Sequence, residues 1–148
     1  MTDNYTDLIA PFEGLTETDL LELYVDKVGE FLSRTDTTAL QEIDDEDSFL
    51  LNVPDGFSVE VQGVLFFEDM GYLSYMQGDT IIPLYLCCNS LSFDWREVLG
   101  LNGLRSLLFT YQVFCDTLFQ LTGDSWYMSL FGGLNSILWS LVTVDSEF

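Results

Sequence analysis

The sequence predicts an α+β fold: an N-terminal amphipathic helix, a three-stranded antiparallel meander and apolar C-terminal helices packed on the sheet. Three observations predict it. Apolar residues recur at helical spacing after a cap signal at Thr16, and residues 57–88 alternate with a period of two between turn signals. Residues 98–144 are apolar and hold only Arg105, Asp116 and Asp124 as charges.

The first helix is read from its start signal. Thr16 is the N-cap, Asp19 stands at the third helical position, and Glu17 and Glu22 place negative charge in the early turns. Leu20, Leu23, Tyr24, Val28, Phe31 and Leu32 then form one apolar face to about Arg34. Asp36 is expected to cap a short second helix through Ile43. Asp44-Asp45-Glu46-Asp47 reads as a solvated acidic turn and Pro54-Asp55-Gly56 as a break.

The period then changes to two. Phe57, Val59 and Val61 alternate with Ser58, Glu60 and Gln62, and the run to Phe67 is expected to be one strand. Glu68 to Gly71 reads as a turn, Tyr72 to Met76 as a second strand and Gln77-Gly78-Asp79 as another turn. Thr80 to Cys88 is the third strand, with Pro83 favouring an edge or a bulge. Ser92 is expected to cap a helix from about Phe93, interrupted at Gly100-Leu101-Asn102-Gly103, resuming through Leu121 and stopping at Gly123. Asp124 or Ser125 caps a final helix to about Val142. Residues 1–148 are expected to form a single domain, with an acidic helical and sheet half at 1–90 and an apolar helical half at 91–148.

The charge balance bounds the function. The chain has 25 Asp and Glu against four Lys and Arg, no His, and a net charge of -21 on 148 residues. Residues 1–60 alone hold sixteen acids against Lys27 and Arg34. So much like charge costs self-repulsion in the compact state, so it points to solubility, repulsion or a basic partner. A salt-loving host fits poorly, because bulky Leu and Phe dominate and Ala appears only at Ala10 and Ala39. No signal peptide is read in the first 16 residues, which lack a basic segment and an apolar run. Cys87, Cys88 and Cys115 make a poor disulfide framework and read as buried thiols in a reducing, cytoplasmic compartment. Asn4-Tyr5-Thr6 then matches a glycosylation acceptor only by chance. Ser125 to Val144 is 20 uncharged residues, long enough to span a bilayer. Gly132, Gly133, Asn135 and several serines interrupt it and no Lys or Arg flanks it, so a buried helix is expected rather than a membrane anchor.

Missing residues exclude most catalytic constellations, and the protein is expected not to be an enzyme. Without His there is no Ser-His or Cys-His pair and no imidazole metal site. Gly100-x-x-Gly103 lacks the Lys and the spacing of a phosphate loop. Carboxylate pairs arise by chance among 25 acids, and the run at 44–47 lacks the glycine and spaced oxygens of a calcium loop. No cofactor or metal is expected.

The strongest constellation is Glu22, Asp26 and Glu30, at i, i+4 and i+8 on the polar face of the first helix. Their rise is about 6 Å per step. Like charges at this spacing cost a helix roughly 0.2–0.5 kcal/mol per pair. Asp19 extends the stripe, and Asp44, Asp45, Glu46 and Asp47 prolong it. A row of anions on a rigid rod offers a basic groove the charge pattern of a phosphate ladder. On the stripe alone, a solvated face that keeps an apolar protein soluble accounts better for the pattern. The near-elimination of basic residues narrows the difference, because solubility alone does not require it. The leading expectation is therefore an acidic, non-enzymatic binding protein that occupies a basic, nucleic-acid-binding surface of a partner protein. It would act as a nucleic-acid mimic or inhibitor of the viral anti-defence or toxin-neutralising kind, with no direct nucleic-acid binding and no membrane. The alternative is a homodimeric acidic chaperone or assembly factor. Its basis is the surplus of aromatics from Trp95 to Trp139, part of which is expected to bury against a second copy. The terminal Asp145-Ser146-Glu147-Phe148 could be captured by a peptide pocket but reads first as a frayed end.

Overall fold

The computed structural model describes residues 14–35, 40–43, 48–87 and 100–146. Helix α1 spans Glu17–Arg34 and starts where its cap dictates. Thr16 is extended, its hydroxyl accepts from the Asp19 N–H, and the Asp19 carboxylate accepts from the Thr16 N–H, both at 3.2 Å. Two of the orphan donors of the first turn are thereby satisfied. Leu20, Leu21, Tyr24, Val28 and Phe31 form the buried stripe, and Thr35 ends the helix by donating to the Phe31 carbonyl.

Seven strands follow: β1 (Leu40–Ile43), β2 (Ser48–Leu51), β3 (Ser58–Val61), β4 (Val64–Asp69), β5 (Tyr72–Gln77), β6 (Thr80–Pro83) and β7 (Tyr85–Cys87). They form two antiparallel sheets rather than one three-stranded meander. The larger is a four-stranded meander in the order β3-β4-β5-β6, and the smaller has the order β1-β2-β7. Three sequence expectations are corrected here. The run 57–67 is not one strand, because Gln62 and Gly63 both take positive φ (51° and 81°) and close a two-residue hairpin loop. Such loops match the right-handed twist of the strands they join. The run 80–88 divides at Leu84: β6 is the edge of the meander, where Pro83 costs no ladder bond, and β7 joins the other sheet. Leu40–Ile43, expected within a helix, is a strand paired with β2 from Leu40↔Leu51 to Ile43↔Ser48. Four residues are too few to nucleate a helix alone, so the pairing partner decides. Residues 36–39 of that expected helix lie outside the described residues.

The two sheets meet at the start of β5. Asn52 bridges Tyr72, the Val53 N–H donates to the Gly71 carbonyl, and the Leu84 N–H donates to the Leu73 carbonyl. Glu68 fastens this corner, accepting from the Gly71 N–H at 2.8 Å and the Gly56 N–H at 3.3 Å.

Helix α2 spans Gly100–Thr122 and α3 spans Trp126–Ser146. Gly100 takes a left-handed φ of 66° where α2 begins, and residues 101–103 are already helical; the helix expected to precede this point lies outside the described residues. The segment 88–99, with Cys88, Ser92 and the expected helix start at Phe93, lies outside the described residues. Gly123, with φ 76°, ends α2 by donating to the Phe119 carbonyl, and Asp124 caps α3 by accepting from the Trp126 N–H at 3.0 Å. Helix α3 packs against α1 and α2, while α2 also faces β3 and β7. An edge-to-face cluster of Tyr24, Phe31, Tyr111 and Tyr127 joins the three helices, and the Tyr24 and Tyr111 hydroxyls lie 3.2 Å apart inside it. Phe66 of β4 meets Phe109 of α2, joining the helices to the inner face of the meander.

Candidate functional site

Burying Leu20, Tyr24, Val28 and Phe31 against α3 and α2 turns the opposite side of α1 to solvent. Glu22, Asp26 and Glu30 are exposed there on successive turns, together with Val25. Asp19 is half-buried and its carboxylate is spent on the N-cap, so it belongs to the end of the helix rather than to the open row. Asp44, Asp45, Glu46 and Asp47 fall between β1 and β2 in sequence and lie outside the described residues.

The few cations near this surface are already engaged. Lys27 sits 3.6 Å from Glu30, and a Cβ built at Gly133 would meet its Cε at 3.5 Å, so its stem lies over α3. That pair is solvent-exposed and contributes little. Arg34 bonds Asp124 at 3.0 Å and stacks over the Trp126 ring at 4.4 Å, tying the end of α1 to the start of α3. Arg105 lies over the Trp139 ring, 5.7 Å from its centroid. Each described cation thus faces a carboxylate or a ring, while no ion pair to Glu22 or Asp26 occurs among the described residues. Arg96 lies outside them.

A second surface was not legible beforehand. In the meander, Val59, Phe66 and Tyr75 face α2, so alternation turns Glu60, Leu65, Met76 and Ile81 to the outer face. Leu65, Met76 and Ile81 are 56%, 50% and 42% exposed. Toward β2 the same face closes, and Ser74 is fully buried. The signal that could have found this row is the Gln62-Gly63 dipeptide between two apolar runs, which sets the register of β4.

The titratable groups inside offer little chemistry. Burial, with the neighbouring Asp116 carboxylate, pushes the Cys115 thiol up to about 12, which makes it an inert core residue. Burial raises the Asp116 carboxyl above its usual value. Asp124 is held below its usual value by the Trp126 N–H and then by Arg34. Among the described residues no group of three or more His, Cys, Asp or Glu is placed to hold a metal ion, and no helix is long and apolar enough to cross a membrane. A shallow dimple lined by Leu104, Arg105, Leu108, Leu138 and Trp139 encloses no room for even a water molecule, against the roughly 300 Å³ of typical small-molecule sites. The molecule is thus an α+β protein with two antiparallel sheets and an anionic helix face. No protein-family model, curated protein or solved structure matches the chain.

Proposed function

We propose that this chain is a non-enzymatic acidic binding protein that occupies the basic, nucleic-acid-binding surface of a partner protein in the cytoplasm of a host cell. It acts as a nucleic-acid mimic or inhibitor, of the anti-defence or toxin-neutralising kind. One observation carries the reading: Glu22 and Asp26 stand exposed on a rigid helix without an ion pair among the described residues, and Glu30 holds only an exposed one. Helical rise spaces these carboxylates about 6 Å apart in one straight row, a ladder of anions of the kind a basic groove neutralises. The engaged cations support the further point that the chain does not bind nucleic acid itself, because few charges remain to release counterions.

The test is capture from the native host by the wild type and by the E22Q/D26Q/E30Q variant. The expected partner is a nucleic-acid-binding protein released by moderate salt, displaced by duplex DNA or RNA, and lost to the variant. A partner that nucleic acid does not displace, or that the variant holds as tightly, overturns the reading.

The homodimeric chaperone is kept as a second reading because Phe119, Leu121 and Met128 are exposed around the α2–α3 connection, at 38%, 40% and 38%. Binding through this corner would tolerate salt, and a dimer in light scattering at both low and high salt is its expected mark.

A further inference from the structure

We propose that the open end of the outer face of the meander, the cross-strand row Leu65–Met76–Ile81, docks a cationic amphipathic segment of a partner protein in which apolar side chains alternate with Lys or Arg. The register puts Glu60 opposite Leu65 and Met76 opposite Ile81, and continuing the β4–β5 pairing from Phe67↔Ser74 puts Leu65 opposite Met76. Directly opposed side chains lie about 5 Å apart at Cβ, so the three form one continuous apolar strip crossing three strands. The solvent face of an antiparallel sheet is ordinarily polar, and its core is on the other side, where Phe66 packs on Tyr75 within the sheet and on Phe109 of α2.

Charge selects the occupant. The strip ends on exposed Glu60, and exposed Asp79 stands in the β5–β6 hairpin two residues from Ile81. Residues 35–95 hold twelve Asp and Glu and not one Lys or Arg. A second copy would bring like against like, at a net charge of -21 on each chain. An anionic lipid surface or a nucleic acid meets the same repulsion. A segment that carries its own cations around an apolar row meets carboxylates at the rim and buries Leu65, Met76 and Ile81 at the centre, the usual division of an interface. The rim pairs contribute little individually and set the approach, whereas the strip supplies the affinity.

The inference deepens the reading above, giving its basic partner an apolar component and a second point of attachment, yet it can fail separately. The probes are two synthetic peptides of equal length and charge, one alternating Lys with Leu and one alternating Lys with Ser, titrated by fluorescence anisotropy. The wild type is expected to prefer the Lys-Leu peptide by about tenfold. The L65S/M76S/I81S variant is expected to bind both peptides alike, and the E22Q/D26Q/E30Q variant to keep the preference. Because serine weakens strands, L65T/M76T/I81T serves as a second set that retains strand propensity. Unchanged preference in folded sheet variants overturns the proposal, whatever the helix variant does. So does a wild-type dimer that the sheet variants lose, which would assign the face to a second copy. Loss of preference in the sheet variants, with host partner binding unaffected by the helix variant, would sustain this docking row and sink the mimic reading instead.

Discussion

Thr117 sits fully buried in α2, and its hydroxyl oxygen has no hydrogen-bond partner among the described residues. A buried polar atom left unpaired costs roughly 1–3 kcal/mol, while an isosteric apolar replacement removes that cost. Thr117→Val is therefore expected to raise stability by about 1 kcal/mol, read from urea denaturation at constant slope. Asp116, one residue earlier, carries a different penalty. Burial raises its folded pKa above the ordinary value of 3.8, so its charged form destabilises the fold at neutral pH. That cost disappears as pH falls through the raised value toward 3.8, and Asp116→Asn should remove it at every pH. The expected result is a higher melting temperature for the variant at pH 7, with the difference shrinking as pH falls through the raised value and vanishing only below 3.8. Asp124 has the opposite sign. Its depressed pKa gives stability that is present above 3.8 and lost as pH falls through the folded value.

Single elements are held by a few carboxylates whose work is structural. Glu68 accepts backbone N–H groups from Gly71 and Gly56 and so fixes both the β4–β5 turn and the turn after Pro54. Glu68→Ala leaves two donors at the corner where the sheets meet and is expected to cost about 1–2 kcal/mol. Faster amide exchange at Gly71 would locate the loss; unchanged exchange there would refute it. The row on α1 is of another kind. Replacing Glu22, Asp26 and Glu30 together with Gln relieves like-charge repulsion and loses only the exposed Lys27–Glu30 pair. Melting temperature should stay level or rise by about a degree. A fall of several degrees would show that the row is paired for structure and would remove the main support for the mimic reading.

Across the whole molecule, the net charge of -21 is set against a core that runs through the three described helices and both described sheets. Arg34 joins α1 to α3 and Lys27 lies along the α1–α3 seam, and their exposed pairs with Asp124 and Glu30 offset only two of the many surface carboxylates. The protein should therefore be stabilised by simple salt. Raising sodium chloride from about 0.02 M to 0.5 M shortens the screening length severalfold and should raise the melting temperature, while weakening attachment to a basic partner. A melting temperature that falls with salt would contradict this balance.

What the sequence by itself determined is local. The Thr16-Asp19 capping box, the apolar stripe through Phe31, the Asp124 cap and the Gly123 stop are written in residues a few positions apart, because caps and helical faces depend on near neighbours. The exposure of Glu22, Asp26 and Glu30 follows from the same periodicity. Tertiary structure alone decided the rest. Leu40–Ile43 is a strand because β2 offers it a ladder, and the stretch from Thr80 to Cys87 serves two sheets because its two ends find different partners. The faces of Leu65, Met76 and Ile81 depend on which side of the meander α2 covers, a contact between residues far apart in the chain. Alternation says only that two faces differ; packing decides which one meets water.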